Sequence, residues 1–216
     1  MRLAVGLIFV FVGGGLVAQE YAGASTILRR ETVRIPDAAA LYRRDIEQVS
    51  ADVFGDDASP ARLASQLHQE SNFDPNAHAV DGGEGLGQFM PDTTEWIAKQ
   101  FPKQLGQFDP WDPRQAVLAT AVYDAFLNPK IAGKTPCDRW AFSLSSYNGG
   151  IGWLERDQKR AAANGADPSR WFDQVERFTA RSAAARSINR NYVRRILLVL
   201  EPAYIEAGWS GQVVCS

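Results

Sequence analysis

The sequence predicts an all-α domain, and three observations carry the prediction. Apolar residues recur at helical spacing from about residue 39 to about 207, no run alternates convincingly with period two, and Ser-Pro, Asp-Pro and Gly signals punctuate the segments. The chain has 216 residues, 45% hydrophobic and 22% charged, which suits one domain with a real core.

The elements follow in order. "MRLAVGLIFVFVGGGLVAQE" carries one basic residue, Arg2, then sixteen uncharged residues from Leu3 to Ala18. That is short for a membrane span and suits the apolar region of an export signal or signal anchor, with cleavage sites near Ala18, Ala22 and Ala24. Four glycines in those sixteen residues argue against a buried soluble helix. Residues 1–18 are therefore expected to be a signal peptide or signal anchor, 19–38 a linker or arm, and 39–216 the folded domain. The expected location is outside the inner membrane, in the periplasm or cell envelope, with any membrane contact made only by an uncleaved 1–18.

Within the domain, "DAAALYRRDIEQVSADVFG" has helical spacing and stops at Gly55. "SPARLASQLHQES" offers Ser59 as N-cap with Pro60 at the first helical position, and "DPRQAVLATAVYDAFLN" repeats that start with Asp112 and Pro113. "PDTTEWIAKQF", "CDRWAFSLSSYNGG", "SRWFDQVERF" and "INRNYVRRILLVLEPAYIEAG" complete the predicted helices, the last interrupted near Pro202. A net charge of -2 and scattered Arg pairs at 29–30, 43–44 and 194–195 read as solvated helix faces, so no nucleic-acid partner is expected. Cys137 and Cys215, an even count in a chain bound for an oxidising compartment, are compatible with a disulfide; two buried thiols are the alternative.

Glu70 is the first candidate for chemistry. On a helix at about 100° per residue it falls on the stripe of Leu63 and Leu67, whereas His68 points away. A carboxyl on a core-facing stripe is partly desolvated and its pKa rises, as a general acid requires. Taken alone, this helix favours a plainer reading: a buried Glu paired with Arg or capping a neighbour. "GGEGLGQFMP" follows, where glycines allow close backbone approach and Gln88 offers an amide for a hydroxyl or acetamido group. "SYNGG" ends a later helix with Tyr147 and Asn148, and "NRNYVRRILLVL" places Tyr192 on one stripe with Ile196 and Val199. An inward-facing Tyr seeks a hydrogen-bond partner, and Glu70 would suit it. Trp96, Trp111, Trp140 and Trp171 read first as core, with one or two candidates for a ligand cleft.

Four pieces in this order, "ES" at 70–71, "GLGQFMP" at 85–91, "SYNGG" at 146–150 and "NYV" at 191–193, resemble the motifs of soluble-type lytic transglycosylases. These are peptidoglycan-cutting enzymes with the fold of goose-type lysozyme. No single motif is specific; the ordered set is, and it spans about residues 55–206. The resemblance implies an all-α lysozyme-like fold, Glu70 as catalytic acid/base, and Ser71 as the neighbour that helps fix acid and substrate. It implies Gly85, Leu86, Gln88, Met90 and Pro91 as cleft lining, Tyr147 and Asn148 as contacts to the acetamido sugar, and Tyr192 as the hydroxyl near the acid. Gly87, Ser146 and the pair Ile188–Asn189 depart from the usual pattern, the last putting a second supporting carboxylate in doubt. The phrases "WDPRQA", "TPCDRWAF" and "GLGQFMP" look most like phage and prophage versions, pointing to a lysis enzyme acting without a separate wall-binding module.

On that resemblance the substrate is the β-1,4 bond from N-acetylmuramic acid to N-acetylglucosamine, cut by a monomer without metal or cofactor. A hydrolytic muramidase on the same fold is the nearest rival, with Asp74, Asp81 or Glu84 as second acid, although Asp81 and Glu84 read first as loop-surface charges. A silent peptidoglycan-binding scaffold is the rival from another class, and the intact Glu70–Ser71 pair argues against it. A metal hydrolase built on His68, His78 and Glu70 lacks a zinc signature.

Overall fold

The computed structural model describes residues 33–130 and 132–215. The expected export segment 1–18, and the arm as far as residue 32, lie outside the described residues. The compact unit begins at Val33, with Val33 and Ile35 packed on the core, so the end of the expected arm already belongs to the fold.

Nine α-helices are present among the described residues: α1 Ala39–Phe54, α2 Pro60–Ser71, α3 Pro91–Gln100, α4 Pro102–Leu105, α5 Pro113–Leu127, α6 Pro136–Gly149, α7 Ile151–Ala163, α8 Ala183–Arg195 and α9 Glu201–Glu206. The expected start signals of α2 and α5 are present, and α6 has a third of the same kind. Pro occupies the first turn of α2, α5 and α6, while Ser59, Asp112 and Thr135 accept hydrogen bonds from the first free backbone N–H groups. Thr135 and Asp138 form a reciprocal capping box. Outside the helices, two isolated antiparallel bridges tie Glu84 to His78 and to Phe89.

Besides the short α4, which the sequence reading does not include, three elements differ from expectation. "SRWFDQVERF" is a series of turns with one 3-10 turn at Val175–Arg177 rather than a helix. Side chains take backbone N–H groups in and just before this stretch: Gln174 Oε1 takes Asp167 N, Asp138 Oδ1 takes Trp171 N and Glu176 Oε1 takes Asp173 N, the last a group that the helix would have bonded internally. Helix α7 is not marked in the sequence, because it buries only the narrow stripe Leu154, Asp157 and Ala161, and its other residues are a mixture of charged, small and partly exposed apolar ones. The last predicted helix starts earlier, at Ala183, and passes through a π-helical turn, Ile196–Leu200, just before Pro202. That wider turn rotates the stripe, so Leu200 is fully buried while Val199 is 39% exposed.

The core has three parts. One joins α1, α2, α5 and α9 around Ile46, Leu67, Phe73 and Tyr204. A second joins α6, α7 and α8 around Phe142, Leu154, Trp171 and Val193. A third lies between α3, α4 and α5 around Phe89, Ile97 and Phe108. Tyr147 packs against the second and third parts. Cys137, in the first turn of α6, is disulfide-bonded to Cys215, 78 residues later.

Candidate active site

Glu70 occupies the last turn of α2. The helix stops two residues later because Asn72 takes a left-handed conformation (φ 55°) and returns its N–H to the His68 carbonyl. Phe73 also has positive φ (62°), an unusual backbone for an aromatic, and its ring is 1% exposed. Core packing of that ring holds the turn, so the chain leaves α2 abruptly and Glu70 stands at an edge rather than inside a continuing helix.

The glycine strip then folds back across this end. Ser71 Oγ donates to the Leu86 carbonyl at 2.9 Å, and Gln88 Nε2 donates to the carbonyls of Ala77 and Gly85 at 3.0 and 2.8 Å. Gly85 has φ 67°, and a Cβ there would stand 1.9 Å from the Pro110 carbonyl oxygen, so only glycine lets the strip lie against the 109–111 loop. Leu86 is fully buried in the first core.

Around Glu70 lies a cleft of about 560 Å³. Of the residues expected there, Gln88, Met90, Tyr147, Asn148 and Tyr192 line it together with Glu70; Ser71, Gly85, Leu86 and Pro91 do not, the first three tethering or seating the strip behind the wall and Pro91 opening α3. Tyr192 donates its hydroxyl to Glu70 Oε1 at 2.5 Å. The Tyr147 hydroxyl donates to the Gly87 carbonyl at 2.9 Å, fixing the strip from the side of α6. Asn148 Oδ1 accepts from Asn189 Nδ2 at 3.0 Å, and Asn189 Oδ1 accepts from Ser145 Oγ at 2.8 Å. Helices α6 and α8, which carry the third and fourth motifs, are thus stitched by a neutral amide. No tryptophan lines the cleft; its aromatic wall is Phe89, Tyr123, Tyr147 and Tyr192. Trp171 is fully buried, while Trp111 is 39% exposed and stacks on His78. A larger cavity, about 780 Å³ around Trp140 and Arg62, holds none of these residues.

Burial pushes the Glu70 carboxyl up to about 8, and the charges of Asp124 and Asp81 push the same way against the Tyr192 hydrogen bond. At neutral pH Glu70 is therefore a proton donor. Asp81, read from sequence as a loop charge, lines the cleft. Asp124 on α5 is 2% exposed, accepts from Gln66 Nε2 at 3.4 Å, and is itself raised to about 8 by burial, opposed by Gln66 and Arg62. Sequence reading missed it, although a signal existed. Arg62, Gln66 and Glu70 repeat every four residues on α2, and an Asp interrupts the apolar run "AVYDAFL". His68 belongs elsewhere: it is buried, its Nδ1 lies 3.1 Å from the Tyr204 hydroxyl, and burial beside Arg195 lowers it to about 4.

A partly buried acid held by a tyrosine thus stands beside an open cleft with amide and aromatic walls. The membrane-bound lytic murein transglycosylase F of Marinobacter nauticus is 29% identical over 164 residues, 76% of this chain and 30% of that protein. Membrane-bound lytic murein transglycosylase F 2 of Alkalilimnicola ehrlichii is 30% identical over 158 residues, 73% of this chain and 32% of that protein. The chain thus spans about a third of these relatives' length. Among solved structures, the 70 kDa soluble lytic transglycosylase of Escherichia coli aligns with TM-score 0.53 at 22% identity, over 78% of this chain and 25% of that one. An inactive mutant of the lytic transglycosylase Slt from Pseudomonas aeruginosa aligns with TM-score 0.56 at 16% identity, over 81% and 25%. These two share the all-α lysozyme-like fold. Residues 56–169, more than half of the chain, match the family model described as "Transglycosylase SLT domain", and the chain belongs to that family.

Proposed function

We propose that the chain is a peptidoglycan lytic transglycosylase acting in the cell envelope on the β-1,4 bond between N-acetylmuramic acid and N-acetylglucosamine. One observation carries the reading: Glu70, protonated at neutral pH by burial, stands on the cleft wall with one oxygen held by Tyr192. Glu70 gives its proton to the glycosidic oxygen as the bond to the muramic C1 breaks and an oxocarbenium-like centre develops. The ionised Glu70 then takes the proton of the muramic 6-hydroxyl as that oxygen bonds to C1. The products are a 1,6-anhydro end and a free 4-hydroxyl, with Glu70 reprotonated. Tyr192 fixes which carboxyl oxygen faces the bond, while Gln88, Met90, Tyr147 and Asn148 line the sugar path. Ser71 keeps the strip in place rather than touching sugar.

The relatives' names support an envelope setting, and export through residues 1–18 is part of the proposal. The narrower reading as a phage-type lysis enzyme rests on the "WDPRQA", "TPCDRWAF" and "GLGQFMP" phrases alone; the relatives compared are bacterial proteins. A second reading, hydrolysis by a water activated at Asp81, is favoured by the place of that carboxylate on the cleft wall. Mass spectrometry of muropeptides released from purified wall separates them. Anhydro ends support the transglycosylase; reducing ends carrying oxygen from labelled water convert the assignment to a muramidase. If Glu70→Gln clears a wall suspension as fast as the unmodified chain, the site assignment fails.

A further inference from the structure

Helix α8 carries more charge than its place in the cleft wall uses. From Arg177 to Leu200 the sequence holds six arginines and no acid, although the chain as a whole is net -2. Arg186, Arg190 and Arg194 follow at four-residue steps, so they form one stripe along the helix, about 12 Å long. With Arg177 they line a groove of about 530 Å³ that also contains Asp173 and Glu176, four arginines against two acids. Two of the arginines are already committed: Arg190 donates to Asp157 at 2.9 Å and Arg194 grips both Glu176 oxygens at 2.9 and 2.6 Å. The other two are not. Arg186 donates to the Arg177 carbonyl and has no carboxylate partner among the described residues, and the Arg177 guanidinium has neither an ion-pair nor a hydrogen-bond partner there. Both are exposed. Asn191 lines this groove and the Glu70 cleft alike, so the groove opens at the lip of the cleft.

We infer that this arginine groove binds the carboxylates of peptide stems carried by the glycan strand that lies in the cleft. The inference rests on the peptidoglycan reading above. A guanidinium fork takes a carboxylate through two parallel hydrogen bonds, and a strand running past Asn191 would carry its stems over the outer side of α8. Continuity with the cleft favours a group attached to the same strand over an independent anionic partner.

The test compares the full chain with the double variant Arg177→Ala/Arg186→Ala on intact peptidoglycan and on peptidoglycan stripped of peptides by an amidase. The ratio of cleavage rates, intact over stripped, should fall about fivefold or more in the double variant and much less in Arg186→Lys. In the unmodified chain that ratio should shrink as salt rises. Equal ratios in the unmodified chain and the double variant overturn the inference. So does an unchanged ratio accompanied by lost binding to anionic phospholipid vesicles, which would assign the groove to a phosphate surface. If the chain cuts neither substrate, the activity reading has failed and the groove is judged by binding alone. An acidic stem tetrapeptide should then bind Glu70→Gln and not Glu70→Gln with both arginines removed, while its fully amidated counterpart binds neither. No difference between these peptides overturns the inference.

Discussion

Glu70 sets two opposed demands on one side chain. Its folded pKa of about 8 lies above the ordinary 4.5, so the folded chain holds a proton that the unfolded chain releases. The stability from this group is complete below about pH 4.5 and drains away as pH rises toward about 8. Glu70→Gln removes the ionisable group and keeps the shape. It should abolish wall clearing while raising the melting temperature at pH 8, by roughly 2–4 °C for each kcal/mol recovered, with the difference vanishing near pH 4. Melting scans of both forms across that range check the sign. A gap that stays constant with pH would mean that Glu70 is not held protonated. Cleavage by the unmodified chain should fall above about pH 8 as the donor is lost. Asp124 bears on that alkaline limb. Its charge, buried one helix away and joined to α2 through Gln66, opposes ionisation of Glu70. Asp124→Asn should therefore move the limb to lower pH; the two acids titrate as a pair, so the limb reports both. An unmoved limb would show that Asp124 serves only packing.

At the scale of elements, the cleft depends on how the glycine strip is seated between the end of α2 and the 109–111 loop. Gly85→Ala adds a Cβ into the Pro110 carbonyl at a positive φ, whereas Gly152→Ala on α7 meets nothing within 4 Å. The first should cost roughly 2 kcal/mol or more and depress activity with it; the second should be neutral or stabilise by up to about 1 kcal/mol. Urea midpoints of the pair decide whether backbone contact at Gly85, rather than glycine content as such, sets the strip. Much of this was legible in the sequence. Ser59-Pro60, Asp112-Pro113 and the Gly149 stop announce α2, α5 and α6 through chemistry that acts within four residues. The inward stripe of Glu70 and of Tyr192 follows from helical period alone. What the sequence hid depends on distant partners. Helix α7 looks too polar until its narrow stripe meets α6, and the 169–178 segment looks helical until Asp138 takes the Trp171 N–H. The π-helical turn likewise moves the buried position from Val199 to Leu200, a shift that no fixed period anticipates. Asp124 was overlooked because an acid in an apolar run reads as a flaw until Gln66 is seen opposite.

At the scale of the whole molecule, two of the links that hold the C-terminal third to the body act on different states. Arg62 on α2 pairs with Glu201 on α9 at 2.8 Å, both buried. The disulfide between Cys137 and Cys215 closes a loop with sequence separation 78 that contains α7, α8 and α9, and hence Tyr192. The ion pair belongs to the folded state. Glu201→Gln leaves the Arg62 charge buried with its partner gone and should cost roughly 3–5 kcal/mol. The disulfide acts largely by restricting the unfolded chain, and a loop of this length contributes about 4 kcal/mol. The two losses are similar in size, so a melting temperature alone does not tell them apart. Denaturant slopes do. Reduction, or Cys137→Ala with Cys215→Ala, frees an unfolded chain that exposes more surface, so the slope of stability against urea should steepen as the midpoint falls. Glu201→Gln should lower the midpoint at an unchanged slope. Neither cysteine lines the Glu70 cleft, so the reduced chain should still cleave wall well below its lowered melting temperature. Loss of cleavage on reduction while the fold persists would mean that the disulfide also positions α8 and Tyr192 against Glu70.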